Sequence, residues 1–101
     1  MIDQTKIRRE TIRWMVLLTL NNARPIGAWE ELILSTVQAV YADITPLELR
    51  RELDYLGDRE LIDLKRDPGG RWFADLTRDG IDVAEYTVDC DPGIARPQKY
   101  W

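Results

Sequence analysis

The amino-acid sequence predicts an α+β domain that is mainly helical and has one small β-hairpin. Residues 45–86 contain a helix, a hairpin and a second helix in direct succession, with capping or turn residues at each junction. Two further helix-like apolar stretches precede them. A chain of 101 residues is too short for two independent cores. We therefore expect one domain over residues 1–86, followed by an extended C-terminal arm over 87–101.

The first two helices are predicted from apolar spacing. Helix α1 is expected from Thr5 to about Leu20. It cannot continue much further, because Pro25 disfavours the helical conformation at the residue before it. Its apolar side chains recur at helical spacing, with the arginines elsewhere on the cylinder: Ile7, Thr11, Trp14, Met15 and Leu18. The segment 25–28 is expected to form a short strand, β1, that pairs with the hairpin. Helix α2 is expected over about 29–41, and its broad apolar surface indicates a central helix or one shared with a partner.

Capping residues define the third helix. Thr45 can accept from the first free N–H groups, Pro46 suits the first helical position, and Glu48 can complete a capping box. Helix α3 is therefore expected from Pro46 to Gly57.

The hairpin follows α3 directly. Its strands are Leu61–Lys65 (β2) and Arg71–Leu76 (β3), and the turn at Asp67–Gly70 contains two glycines. Thr77 then caps helix α4, which runs through Ala84. The expected order is α1-β1-α2-α3-β2-β3-α4. This is the layout of a winged helix-turn-helix domain in which the hairpin is the wing.

Composition argues against an enzyme. The chain contains no histidine, so histidine-based acid–base chemistry and histidine metal clusters are excluded. Cys90 stands between Asp89 and Asp91, which disfavour a thiolate. Gly69-Gly70 lacks the spacing of a phosphate loop. We expect no cofactor, no metal and no catalytic residues. The absence of a membrane-length apolar run, of a signal-peptide pattern and of a second cysteine predicts a cytoplasmic protein.

The charge balance is mixed for a nucleic-acid-binding domain. The net charge is −4 and the pI is near 4.8, whereas duplex-binding domains usually present a basic face. Positive charge exceeds negative charge in α1 and in the wing, but acidic residues slightly outnumber basic ones in α3.

We predict two sets of DNA contacts. In α3, which would act as the recognition helix, they are Arg50, Arg51, Glu48 and Tyr55. In α1 and the wing, residues suited to phosphate contacts are Arg8, Arg9, Arg13, Lys65, Arg66 and Arg71. The alternative is that these are ordinary surface charges, with Arg50 and Arg51 paired to the acidic residues of their own helix.

The arm is too apolar to be left in water, so it must use a groove on its own domain or on a neighbour. We therefore expect a homodimer, with an interface formed by α1, α2 and the arm. The predicted interface residues are Trp14, Leu34, Ile94, Tyr100 and Trp101.

Two stretches of sequence resemble known families. The run from Leu47 to Ile62, together with Leu76-Thr77-Arg78-Asp79-Gly80, resembles the recognition helix, strand entry and wing closure of bacterial winged-helix regulators. The phrase from Cys90 to Pro97, with residues 83–86, is similar to small proteins of Mu-like bacteriophages and prophages. These resemblances imply a double-stranded DNA-binding regulator of transcription in a phage or prophage, dimeric and located in the bacterial cytoplasm. The alternative is a winged-helix adaptor that binds protein and no DNA.

Overall fold

The computed structural model describes residues 2–100 and confirms the predicted order of elements. Within this range the helices are α1 (Gln4–Asn22), α2 (Glu30–Gln38), α3 (Pro46–Asp58) and α4 (Arg78–Ala84), and the strands are β1 (Ala28–Trp29), β2 (Ile62–Arg66) and β3 (Trp72–Leu76). The strands form one antiparallel sheet in the order β1-β3-β2. This is a winged helix-turn-helix fold with the β2–β3 hairpin as its wing.

The short strand β1 ties the start of α2 to the wing. Ala28 pairs with Ala74 and Trp29 with Phe73, so the predicted pairing with the hairpin is confirmed, but β1 consists of residues 28 and 29 instead of the expected 25–28. Gly27 has a φ of +82°, and a Cβ there would collide with the Ala74 carbonyl oxygen and the Phe73 ring. The chain therefore enters the sheet in close contact with β3.

Side-chain caps begin three of the helices. The Thr45 hydroxyl accepts from Glu48 N at 3.1 Å, and the Thr77 hydroxyl accepts from Gly80 N at 3.1 Å, so both predicted caps are confirmed. Helix α1 begins at Gln4, one residue earlier than expected, and the carboxylate of Asp3 caps it by accepting from Lys6 N at 3.1 Å.

The core lies between α1, α2, α3 and the sheet. Its fully buried large side chains are Ile12, Val16, Leu17, Leu20, Ile33, Val37, Leu49, Leu53 and Leu56. The series noted in α1 lies only partly in this core: Trp14 belongs to it, whereas Ile7 is 50% and Leu18 39% exposed. Because α1 packs against α2, α3, α4 and β3, it is apolar on several sides, and spacing alone does not identify its inward face.

Residues 87–100 form no helix or strand, and part of the arm lies on its own domain. Ala95 N donates to the Glu10 carbonyl oxygen at 3.1 Å, and the Arg13 guanidinium donates to the Gly93 carbonyl oxygen at 2.8 Å. Ile94 is half-buried against the core. The middle of the arm thus has its apolar contact within the same chain.

Candidate nucleic-acid interface

The outward face of α3 is the surface that a winged helix offers to a DNA groove. Leu47, Arg51 and Asp58 are exposed there and Asp54 is half-buried, whereas Leu49, Leu53 and other apolar residues of the helix face the core. The face therefore presents one arginine between an exposed leucine and two carboxylates.

Arg50 joins α3 to α2 and to the wing. Its Nε and Nη2 donate to the Glu30 carboxylate at 3.0 and 2.6 Å, and Nη2 also donates to the Gly70 carbonyl oxygen at 2.7 Å. The guanidinium lies 4.8 Å from the centre of the Trp72 ring. These hydrogen bonds to Glu30 raise the pKa of Arg50. The structure therefore agrees with the alternative that Arg50 is ion-paired, but its partner, Glu30, lies on α2 and not on α3.

The other wing arginines are also paired. Arg66 binds the Asp54 carboxylate of α3 and lies 4.3 Å from the centre of the Trp72 ring. Arg71 binds Glu31 of α2 at 2.8 and 3.3 Å, which lowers the pKa of that carboxylate and raises the pKa of Arg71. Arginines thus hold both strands of the wing against the helix pair α2–α3.

Arg8 of α1 is held by two acidic side chains. It donates through Nε and Nη2 to Glu48 at 2.7 and 2.9 Å and pairs through Nη1 with Asp43 at 2.9 Å, and these contacts raise its pKa. The structure gives Glu48 an ion pair with Arg8 in place of the reciprocal half of the predicted capping box.

Tyr55 and Arg13 lie beneath the arm. The Arg13 guanidinium is 3.5 Å from the centre of the Tyr55 ring and pairs with Glu52. A Cβ at Gly93, in the arm, would overlap the Tyr55 hydroxyl oxygen. The predicted contact residue Tyr55 is therefore covered by the protein's own chain on one side.

Three of the predicted contact residues have unpaired charges. Within residues 2–100, the side chains of Arg9, Arg51 and Lys65 make no hydrogen bond or ion pair, and all three residues are exposed. Arg9 and Arg51 line the same depression, of about 380 Å³, between the start of α1 and the start of α3. Glu48 and Glu52 line it as well, but their carboxylates are ion-paired with Arg8 and Arg13. The guanidiniums of Arg9 and Arg51 are brought together from positions 42 residues apart in the chain.

Acidic side chains occupy the opposite end of α3. Asp58, Glu60, Asp63 and Asp79 line two adjoining depressions formed by the end of α3, β2 and the start of α4. In the part of the chain that the structure describes, no three acidic or thiol side chains are grouped as metal ligands. This end of the molecule repels a polyanion, so the region beside Arg9 and Arg51 is the better candidate for phosphate contacts.

The predicted dimer residues lie in different environments. Trp14 is 7% exposed and packs edge-on against Tyr86, with ring centres 5.9 Å apart. Leu34 is half-buried against the core, Tyr100 is 88% exposed, and the predicted contact at Trp101 lies outside the described residues. Their role in a dimer stays a prediction.

The pairing partners of the arginines are the residues that sequence reasoning missed. Glu30, Glu31 and Asp43 attracted no prediction, because each meets its arginine only across the tertiary fold.

None of the helices over residues 2–100 has the length and apolar character needed to cross a membrane.

Over residues 2–100 the fold is a winged helix, and Arg9 and Arg51 place two unpaired guanidiniums in one depression between α1 and α3. Among solved structures, the chain is similar to the crystal structure of a "putative DNA-binding protein" of Ralstonia eutropha JMP134. The TM-score is 0.60, the sequence identity is 26%, and the match covers 88% of this chain and 100% of that chain. Neither a protein-family model nor a curated protein matches the chain.

Proposed function

We propose that this chain is a non-enzymatic, winged-helix DNA-binding protein that regulates transcription as a homodimer in a phage or prophage. The proposal of DNA binding rests on one observation: the chain is similar, over that protein's whole length, to a protein described as DNA-binding. The regulatory role and the phage setting rest on the sequence resemblances of residues 47–62, 76–80 and 83–97.

The unpaired cations indicate how DNA is bound. Arg51 projects from the outward face of α3, and Arg9 lines the same depression from α1. Two unpaired guanidiniums on neighbouring helices suit the oxygens of a DNA backbone. Lys65 adds an exposed ammonium on the wing. The paired residues Arg50 and Arg66 instead hold the wing at a fixed position beside α3.

Binding to random duplex DNA at several salt concentrations tests this proposal. The logarithm of the binding constant should fall with the logarithm of salt concentration, by about 0.9 for each phosphate neutralised. Arg9→Ala and Arg51→Ala should each weaken binding and flatten this slope. Arg78→Ala is the matched control, because its side chain is 87% exposed on α4, beside the acidic depressions. If the unmodified protein retains no duplex even at low salt, the proposal is wrong.

A second pair of variants separates positioning from direct contact at Arg50. If Arg50 only holds the wing, Glu30→Gln should weaken DNA binding as Arg50→Ala does, because both break the same ion pair. If Arg50 itself contacts DNA, only Arg50→Ala weakens binding, and Glu30→Gln strengthens it by removing a negative charge.

A protein-binding adaptor is the second candidate. The observation that favours it is the outward face of α3, where Leu47 is 61% exposed and Asp54 and Asp58 stand beside Arg51. An adaptor would bind no duplex at low salt. Its α3 face would instead be protected from hydrogen exchange or labelling by a protein partner.

A further inference from the structure

One face of α1 carries no charged side chain along the whole helix. Residues three or four apart in a helix lie on the same face. The uncharged series at this spacing is Gln4, Ile7, Thr11, Met15, Leu18 and Asn22. The charged residues of α1 occupy other positions: Lys6, Arg8, Arg9, Glu10 and Arg13.

The polar groups in the middle of this face are already satisfied. The Thr11 hydroxyl donates to the Ile7 carbonyl oxygen at 2.7 Å, so the hydroxyl needs no water. The neighbouring Thr19 hydroxyl donates in the same way to the Met15 carbonyl oxygen at 2.8 Å. Water can therefore be removed from the centre of the face without leaving a hydroxyl donor unpaired.

The face has a depression at each end. One, of about 430 Å³, is lined by Ile7 and Tyr41 among others and is bounded by Arg8, whose charge is paired with Glu48 and Asp43. The other, of about 470 Å³, has a mainly apolar lining that includes Trp14, Leu18 and Tyr86, and residues 97, 98 and 100 of the arm form its far wall. With Ile7 50% and Leu18 39% exposed, the face has both projecting apolar side chains and hollows.

We infer that this face binds α1 of a second copy of the chain, with the two helices antiparallel. The series of residues is almost symmetric: Gln4 and Asn22, like Thr11 and Met15, are equidistant from position 13, and Ile7 and Leu18 are equidistant from a point half a residue earlier. In an antiparallel pair centred near position 13, Ile7 packs beside Leu18 of the second copy and Thr11 faces its Met15. At the ends, the amide of Gln4 faces the amide of Asn22. A two-fold axis repeats each pairing, so the same surface of each copy forms the interface.

The pattern favours a second copy over an unrelated partner. Each exposed leucine or isoleucine meets an apolar side chain, each amide meets an amide, and no like charges come together. The inference rests on the proposed function, because it names the surface through which the proposed homodimer forms. The association itself requires no DNA, so it is tested in its absence.

Sedimentation or light scattering of the full chain without DNA measures the association. The unmodified protein should be a dimer. Leu18→Glu should raise the dissociation constant by about 100-fold or more, because it buries a carboxylate without a partner. Leu32→Glu is the matched control, since Leu32 is an exposed leucine, 56% exposed on α2, that is not part of the α1 series, and this variant should remain dimeric. Circular dichroism confirms that each variant is folded.

Charge restoration tests the antiparallel register. Ile7→Lys alone and Leu18→Glu alone should both be monomeric. The two substitutions in one chain should restore the dimer, because each introduced ammonium then faces a carboxylate of the other copy. A monomeric unmodified protein, an unaffected Leu18→Glu dimer, dissociation by Leu32→Glu, or a double variant that stays monomeric would each overturn the inference. A dimer that retains no DNA supports the inference and refutes the proposed DNA binding. A DNA-binding monomer supports the proposed DNA binding and refutes both the inference and the proposed homodimer.

Discussion

Arg13 of α1 and Glu52 of α3 form an almost completely buried ion pair. Nε of Arg13 lies 2.8 Å from Oε1 of Glu52, and the two side chains are 11% and 5% exposed. The same guanidinium donates to Gly93 of the arm and stacks on the Tyr55 ring. One arginine therefore links α1, the predicted recognition helix and the C-terminal arm.

Glu52→Ala should lower the free energy of unfolding by about 3–5 kcal/mol, because it leaves the Arg13 charge buried without its partner. Chemical denaturation followed by circular dichroism measures this change. Glu85→Ala is the control. It breaks the exposed pair with Arg24, whose side chains are 38% and 51% exposed, and should change the stability by about 0–1 kcal/mol. Equal effects of the two substitutions would show that burial of the Arg13–Glu52 pair has no energetic consequence.

The sequence analysis singled out arginines that form ion pairs across the fold, but it did not find their acidic partners. Local spacing tests only residues three or four apart, and it suggested that Arg50 pairs within α3. In the structure Arg50 pairs with Glu30, 20 residues away, and Arg8 with Glu48, 40 residues away. Such pairs depend on how helices and wing are packed. Net charge by segment therefore overestimated the basic surface that is available to DNA.

Elements that begin or end at a local sequence signal, such as an N-cap or a turn, were predicted correctly. Thr45 and Thr77 cap their helices as expected, because an N-cap is formed by residues three apart in the chain. The turn of the wing was also correctly placed, although only the second of its glycines, Gly70, has a positive φ. The inward face of α1 was not predictable, since it follows from contacts with four other elements.

Leu53→Ala should lower the free energy of unfolding by about 2–5 kcal/mol, through lost apolar burial and the cavity that remains. Leu53 is fully buried in α3. Leu47→Ala on the same helix is the control, because Leu47 is 61% exposed and its truncation leaves no cavity. Thermal or chemical melts of the two variants test the assigned faces of α3. A neutral Leu53→Ala would contradict them.

Gly93→Ala should displace the arm from α3. The substitution combines a left-handed φ of +108° with an overlap between the new methyl group and the Tyr55 hydroxyl. Gly70→Ala separates the two effects. Its φ is +90°, but no other atom lies within 4 Å of the new Cβ, so only the backbone cost of roughly 1–2 kcal/mol applies.

Limited proteolysis within the arm, together with chemical denaturation, measures the difference between these glycine variants. We expect faster cleavage of the arm in Gly93→Ala and unchanged cleavage there in Gly70→Ala. Combining Gly93→Ala with Tyr55→Ala should remove the overlap and recover part of the loss. If the two glycine variants behave alike, the contact between the arm and Tyr55 is not what fixes the arm.

Asp63 and Asp75 lie directly opposite each other on β2 and β3, and among residues 2–100 neither carboxylate has an ion-pair partner. Like charges in this position are destabilising. Asp75→Asn should therefore raise the free energy of unfolding by about 0.2–1 kcal/mol, with little change in side-chain shape.

Because these carboxylates are near solvent, the gain should shrink at about 1 M salt, where the Debye length is only about 3 Å. In a double-mutant cycle, Asp63→Asn should give a similar gain alone and almost none when added to Asp75→Asn. Fully additive gains would show that the two charges do not interact across the hairpin.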